Sequence, residues 1–323
     1  METPKLAPEH VDRTRVEVPR RDSILERLKE RPITLLDKDV KLTMENTMAL
    51  APGQTVVICD APVEGVDEGE PSHFGHWRDN VLNIDHHGKG FGRQISSTNL
   101  AISFVKRFRP IVDELLCVTH TDCDSVLSSA IMRGLIPADE ELFGKAAIAA
   151  DHTGKANPIA DLLQALDEKR DLEFSLRNLE AYLEGRSIDP EAQEMLDKRL
   201  LDRERARIIA DGFKSNASGR IHYAYIDKKI DAGFLPGLLP EAALIVVFNP
   251  LIDKATKQAI PGVLEAKVRL GNAAPADLDL PKIMKAVDSN FGGRWNAGSN
   301  GRYGGTELDP ETYIKAIESI MGA

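Results

Sequence analysis

The chain has 323 residues, of which 42% are hydrophobic and 28% charged, the balance of a soluble globular protein with room for two domains. A net charge of −10 excludes a broad electrostatic footprint on duplex DNA, while leaving room for a local basic pocket. Aromatic residues at only 5% argue against a stacking-rich surface for long single-stranded nucleic acid.

Residues 1–30 are charged and Pro-containing and read as a surface arm, with one short helix from Ser23 to Glu30. Met1–Pro8 has no apolar h-region, so no secretory signal is expected and the expected compartment is the cytoplasm. Thr55–Cys59 is an apolar run that ends in Asp60, the pattern of a buried strand. The acid-, Gly- and Pro-rich stretch Asp60–Gly75 reads as an active-site loop, with His73 and His76 in or beside it, able to ligate a metal but expected as solvent-exposed loop histidines. Val81–Ile84 is a second run and ends in Asp85-His86-His87. Ser96 then places a hydroxyl at the cap of a helix. A third run leads through Val118 to His120-Thr-Asp-Cys-Asp124, after which the chain turns helical. A fourth, Ala146–Ala150, is also expected as a strand and delivers Asp151 and His152. This alternation of strand, polar turn and helix is the α/β signature.

From Pro158 to Lys214 the pattern is long, helical and charged, mostly a solvated face, and compatible with a homodimer. Asn216–Gly219 is a breaker and a plausible boundary. Strands are expected at 221–226, 243–248 and 266–270, and helices at 281–289 and 310–321. The run Ala242–Phe248 is far too short to span a bilayer, so no membrane partner is expected. Cys59, Cys117 and Cys123 form no CxxC pair and lie in or beside apolar runs, as buried reduced thiols do.

Four apolar runs thus each end in carboxylates or imidazoles. In an open parallel sheet such ends converge on one crevice, and clustered oxygen and nitrogen donors suit a divalent ion. The candidates are Asp60, Asp85, His86, His87, His120, Asp122, Asp124 and Asp151. Side chains at i and i+2 of a strand face the same way, so His120, Asp122 and Asp124 would point together were the strand to continue. Ser125 and Ser128-Ser129 open a helix whose N-terminal amides favour an anion such as phosphate. An earlier Asp-x-Asp, Asp37 and Asp39, lacks the histidine.

These residues resemble the DHH phosphoesterase superfamily. Asn83-Ile-Asp-His-His87 followed by Ile95-Ser-Ser-Thr98 is similar to its third motif and the segment after it. His120–Ser125 resembles its His/Asp-x-Asp motif, Asp60 the strand-end Asp of the second, and Asp151-His-Thr-Gly154 the fourth. Phe291–Thr306 is similar to the Gly-rich signature of the DHH-associated domain, with Arg294 in the region where many relatives place a histidine. The order departs from most relatives, in which the His/Asp-x-Asp strand precedes the DHH triplet. The resemblance implies an α/β fold: a mostly parallel sheet flanked by helices over 31–195, behind an N-terminal arm at 1–30. A helical linker at 196–218 and a smaller α/β substrate-binding domain at 219–323 would follow.

The same resemblance implies hydrolysis of phosphodiester bonds in short oligonucleotides or small nucleotides by water activated between two Mn²⁺ ions, with Mg²⁺ or Co²⁺ as substitutes. Asp60 would bridge the ions, His120 and Asp122 would complete one, and Asp124, His86 and Asp151 the other. Asp85 would hold an imidazole by hydrogen bond, and His87 would touch the scissile phosphate or protonate the leaving oxygen, a task for which His152 is a second candidate. Gly292, Gly293, Arg294, Asn296 and Arg302, with Asn300, would bind substrate. Two other readings remain: a pyrophosphatase or exopolyphosphatase acting on phosphoanhydrides, or a nucleotide-binding regulator.

Overall fold

The computed structural model describes residues 23–68, 72–87, 91, 94–227 and 230–322; most of the expected N-terminal arm and part of the glycine-rich stretch after His87 lie outside them. In chain order the elements used below are α1 (Ile24–Glu30), β1 (Thr34–Leu35), α2 (Met44–Ala49), β2 (Val56–Cys59), β3 (His76–Arg78), β4 (Val81–Ile84), α3 (Ser97–Arg107), β5 (Leu115–Val118) and α4 (Cys123–Met132). Then come α5 (Lys145–Ile148), α6 (Pro158–Leu166), α7 (Leu172–Leu183), α8 (Pro190–Ala210), β6 (Lys214–Ser215), β7 (Ile221–Tyr225), α9 (Leu235–Leu238), β8 (Leu244–Ile252), β9 (Ala259–Leu270), α10 (Leu280–Val287), β10 (Gly292–Gly293), β11 (Ala297–Ser299) and α11 (Pro310–Met321).

The first sheet has the order β1-β5-β2-β4-β3. Every pair is parallel except β3 with β4, so the expected α/β class with a mostly parallel sheet holds. β2, β4 and β5 are buried on both faces, which is why each reads as an apolar run rather than an alternating one; the exception, Asn83 of β4, is satisfied by donating to the Ile58 and Ala61 carbonyls. Val57 and Cys59 pack toward α3 and α4, whereas Val56 and Ile58 pack toward Leu42, Met44 and Met48 on the other face, as the two-residue period of a strand requires. Three of the four acid-bearing runs therefore end at neighbouring strand tips.

The fourth does not. Ala146–Ile148 lies in α5, and the chain continues through a π-helical turn, Ala149–Thr153, that carries Asp151 and His152. The run is mostly alanine, the strongest helix former, with Ile148 as its one β-branched residue. Wide turns of this kind are frequent at functional sites. A second difference concerns His76. It is buried in the antiparallel edge strand β3 and packs edge-on to Phe91, because pairing with β4 draws it out of the expected loop.

The second sheet has the order β10-β11-β9-β8-β7-β6, with only β7 and β8 parallel. One face packs on α10 and α11, and the other on α9 and Ala210 at the end of α8. Asn216–Gly219 forms the turn between β6 and β7, so this sheet already begins at Lys214. Among the described residues no helix is long and apolar enough to cross a membrane. The three cysteines are buried and free.

The two sheets meet beside the π-helical turn. Arg269 of β9 donates to the Asp151 carbonyl at 2.9 Å, and Asn272 donates to the Thr153 and Pro236 carbonyls. Gly154 has φ +62°, and a Cβ there would collide with the Gly233 carbonyl; a Cβ on Gly237 would lie 2.5 Å from the Gly154 oxygen. Gly154→Ala is therefore expected to destabilise the protein by about 1–3 kcal/mol through overpacking and left-handed strain. A fall in the urea midpoint would register this, and an unchanged midpoint would contradict the close approach.

Candidate functional site

The site lies where β2, β4 and β5 end beside the π-helical turn. Asp60 follows β2 with φ +54°, a left-handed conformation that Asp tolerates better than most residues. Its carboxylate is buried and accepts from the Ser97 hydroxyl at 3.0 Å and the Ser125 hydroxyl at 2.7 Å. These hydroxyls come from the first turns of α3 and α4, so both helices grip the same acid.

His86 stands at the centre. Its Nε2 is 3.0 Å from Asp151 Oδ2 and 3.8 Å from both Asp60 Oδ1 and Asp124 Oδ2. It is buried yet makes no well-aligned hydrogen bond. Burial opposes charge on this imidazole, but the Asp151 contact and the fields of Asp124, Asp151 and Asp85 push its pKa up to about 9. The acids respond in kind. Burial and the repulsion of Asp124, Asp122, Asp151 and Asp85 hold Asp60 well above the carboxylate range. Burial, with Asp151, raises Asp122 to about 6. Asp151, opposed by burial but favoured by His86, falls to about 2. Crowded buried carboxylates repel one another strongly in a medium of low dielectric, and a bound cation relieves that repulsion.

Ligand atoms of Asp60, His86 and His87 lie within 4.8 Å of one another, as do those of His86, Asp151 and His152. His87 is oriented from both sides. Its Nδ1 is 2.7 Å from Asp85 Oδ1, and Arg294 Nη1 lies 2.8 Å from its Nε2. His152 Nε2 is 3.0 Å from the Ile95 carbonyl, and burial lowers its pKa.

Three expected residues sit differently. β5 ends at Val118, so the i, i+2 alternation stops before His120. His120 is exposed, with Nδ1 beside the Thr119 hydroxyl at 2.8 Å, and its ligand atoms are not among those clustered above. Asp122 caps α4 by accepting from the Ser125 amide at 3.0 Å, so one of the amides expected to favour phosphate is engaged by the chain itself. Asp124 is spent mainly on α3: it accepts from the Ser97 and Thr98 amides at 2.7 Å each and from the Thr98 hydroxyl at 2.6 Å. Asp37 and Asp39 form a tight turn in which the Asp39 amide donates to the Asp37 carboxylate.

The glycine-rich segment already faces the acids. Gly292, Gly293, Arg294, Asn296 and Arg302 line the same cavity of about 640 Å³ as His86, His87 and Asp151. Asn300, by contrast, is fully buried and structural: it accepts from the Ala266 amide and donates to Asp288. The glycines serve the hairpin itself. A Cβ on Gly293 would collide with Gly298 and Ala297, and one on Gly292 would lie 2.6 Å from the Tyr303 ring. Sequence reasoning missed Lys267, Arg269, Trp295 and Tyr303, which line the cavity too. A lone Arg in a strand carries no signal of what lies opposite, whereas Trp295 and Tyr303 fall inside a motif already singled out.

The chain matches no family model and no curated protein sequence. Among solved structures it is similar to a pGpG-specific phosphodiesterase, PggH from Vibrio cholerae, with a TM-score of 0.44 and 10% identity over 83% of this chain and 99% of that one. It is also similar to an uncharacterized protein from Helicobacter pylori G27, with a TM-score of 0.23 and 8% identity over 84% of this chain and 99% of that one.

Proposed function

We propose that the protein is a metal-dependent phosphoesterase that hydrolyses phosphodiester bonds in short oligonucleotides or small nucleotides, as its resemblance to the DHH phosphoesterases implies. One observation supports this above the rest: a buried imidazole nitrogen without an aligned partner, held between three carboxylates beside a cavity that arginines also line.

The donor set fits divalent ions such as Mn²⁺. Asp60, His86 and Asp151 would hold one, with Asp124 and Asp122 as further donors once α3 and α4 are braced. A bound ion would supply positive charge for phosphoryl oxygens and lower the pKa of water toward neutrality. In this reading Asp85 keeps the proton on His87 Nδ1, which fixes the ring and leaves Nε2 as the atom that takes or returns a proton at substrate. Arg294 and Arg302 bind phosphate through paired N–H groups. The segment 31–195 carries the chemistry and 219–323 the recognition.

Purified protein with Mn²⁺ should be offered dinucleotides, cyclic dinucleotides, pyrophosphate and polyphosphate in parallel. The expected result is mononucleotide release that EDTA abolishes. Turnover of pyrophosphate and polyphosphate alone would replace this reading with a phosphoanhydride hydrolase, and tight nucleotide binding without turnover would favour a regulator.

A further inference from the structure

We propose that Tyr303 is a specificity-determining residue that stacks on a nucleobase at the mouth of the cavity, so that the site selects nucleotides over bare phosphates. This inference rests on the phosphoesterase reading for the identity of the site, but not on turnover. Tyr303 is 63% exposed, among the most exposed of the large hydrophobic side chains, yet it lines the cavity that holds His86, His87 and Asp151. An aromatic ring left in water at the rim of a polar cleft has an apolar face to offer a ligand.

The segment that carries the ring is also held in place. It follows Arg302 in a short helical turn, and its amide donates to the Asn300 carbonyl at 3.0 Å. Asn300 is anchored in turn by Ala266 and Asp288. Gly292 lacks the Cβ that would come within 2.6 Å of Tyr303 Cε2, so the ring lies close against the backbone of β10. A platform ordered before binding loses little entropy when a base stacks on it.

Its position fits the layout of a nucleotide. Arg294 directly follows β10, the strand whose Gly292 the ring lies against, and its Nη1 is 2.8 Å from His87 Nε2, so one cavity wall carries both a phosphate-binding cation and the ring. A nucleotide likewise presents its phosphate and its base on either side of one ribose. With phosphate on Arg294 beside His87, the base reaches the Tyr303 ring. Stacking tolerates every base because each has a π-face, so the proposal specifies a nucleobase and not which one.

The test is equilibrium binding of adenosine 5′-monophosphate and ribose 5-phosphate to the full chain by calorimetry, in the wild type, Tyr303→Ala and Tyr303→Phe. The wild type should bind the nucleotide roughly tenfold or more tightly than the sugar phosphate. Tyr303→Phe should keep that preference, and Tyr303→Ala should lose it while its ribose 5-phosphate affinity is unchanged. Equal affinities in the wild type, or an undiminished preference in Tyr303→Ala, would overturn the assignment without touching the hydrolase reading. Preferential binding that depends on Tyr303 but accompanies no turnover of any substrate would support the assignment while removing the hydrolase reading.

Discussion

Asp60→Asn is expected to abolish divalent-ion-dependent hydrolysis while leaving the fold intact. Asparagine is close in shape, tolerates the left-handed backbone at this position, and its amide can still bond the Ser97 and Ser125 hydroxyls, which both donate and accept. What it removes is the charge at the centre of the carboxylate group. Loss of an outer-shell partner typically costs about 10–100-fold in metal affinity or activity, so loss of a direct ligand should cost more. The thermal readout separates ligation from folding. Mn²⁺ at one hundred times its Kd should stabilise the wild type by about 2.7 kcal/mol, and the variant should show little of that gain. Without metal the variant should be at least as stable as the wild type, because one repelling carboxylate is gone. A variant that still responds fully to Mn²⁺ and still turns over substrate would remove Asp60 from the ligand set.

Asp124→Ala should behave in the opposite way and lose stability even in the absence of metal. Asp124 is 1% exposed and ties the first turn of α3 to α4 through two amides and a hydroxyl. Removing it leaves two buried N–H groups at a helix N-terminus without acceptors, at a cost of about 2–4 kcal/mol. Relief of repulsion from Asp60 offsets part of this. Activity should fall as well, because Ser97, the residue that donates to Asp60, sits in the loosened turn. Denaturant unfolding checks the first claim; wild-type stability in Asp124→Ala would mean that the α3 contact contributes nothing. Within one acidic cluster, then, neighbouring carboxylates are expected to divide between ion binding and bracing.

That division could not be read from the sequence. Asp60, Asp122, Asp124 and Asp151 look alike as acids after apolar runs. Their partners differ only because α3 and α4 enter the site at their N-termini and present free amides and hydroxyls to whichever acid is nearest. His120 shows the same limit. Whether i and i+2 point together depends on where the strand stops, and it stops at Val118. Ala146–Ala150 was legible as an apolar run but not as a strand, since its helical state follows from alanine propensity and from packing against α3, α4 and α6.

What the sequence determined by itself was the α/β class and the chemical character of the site. Strands buried on both faces are largely apolar, and the carboxylates and imidazoles that end them lie together at the strand tips. What only the tertiary structure decided was the assignment of tasks: Asp124 to α3, Arg269 to the Asp151 turn, Tyr303 to the cavity lining. Each depends on contacts between residues far apart in the chain, and a side chain's chemical type does not specify which distant partner packing brings within reach.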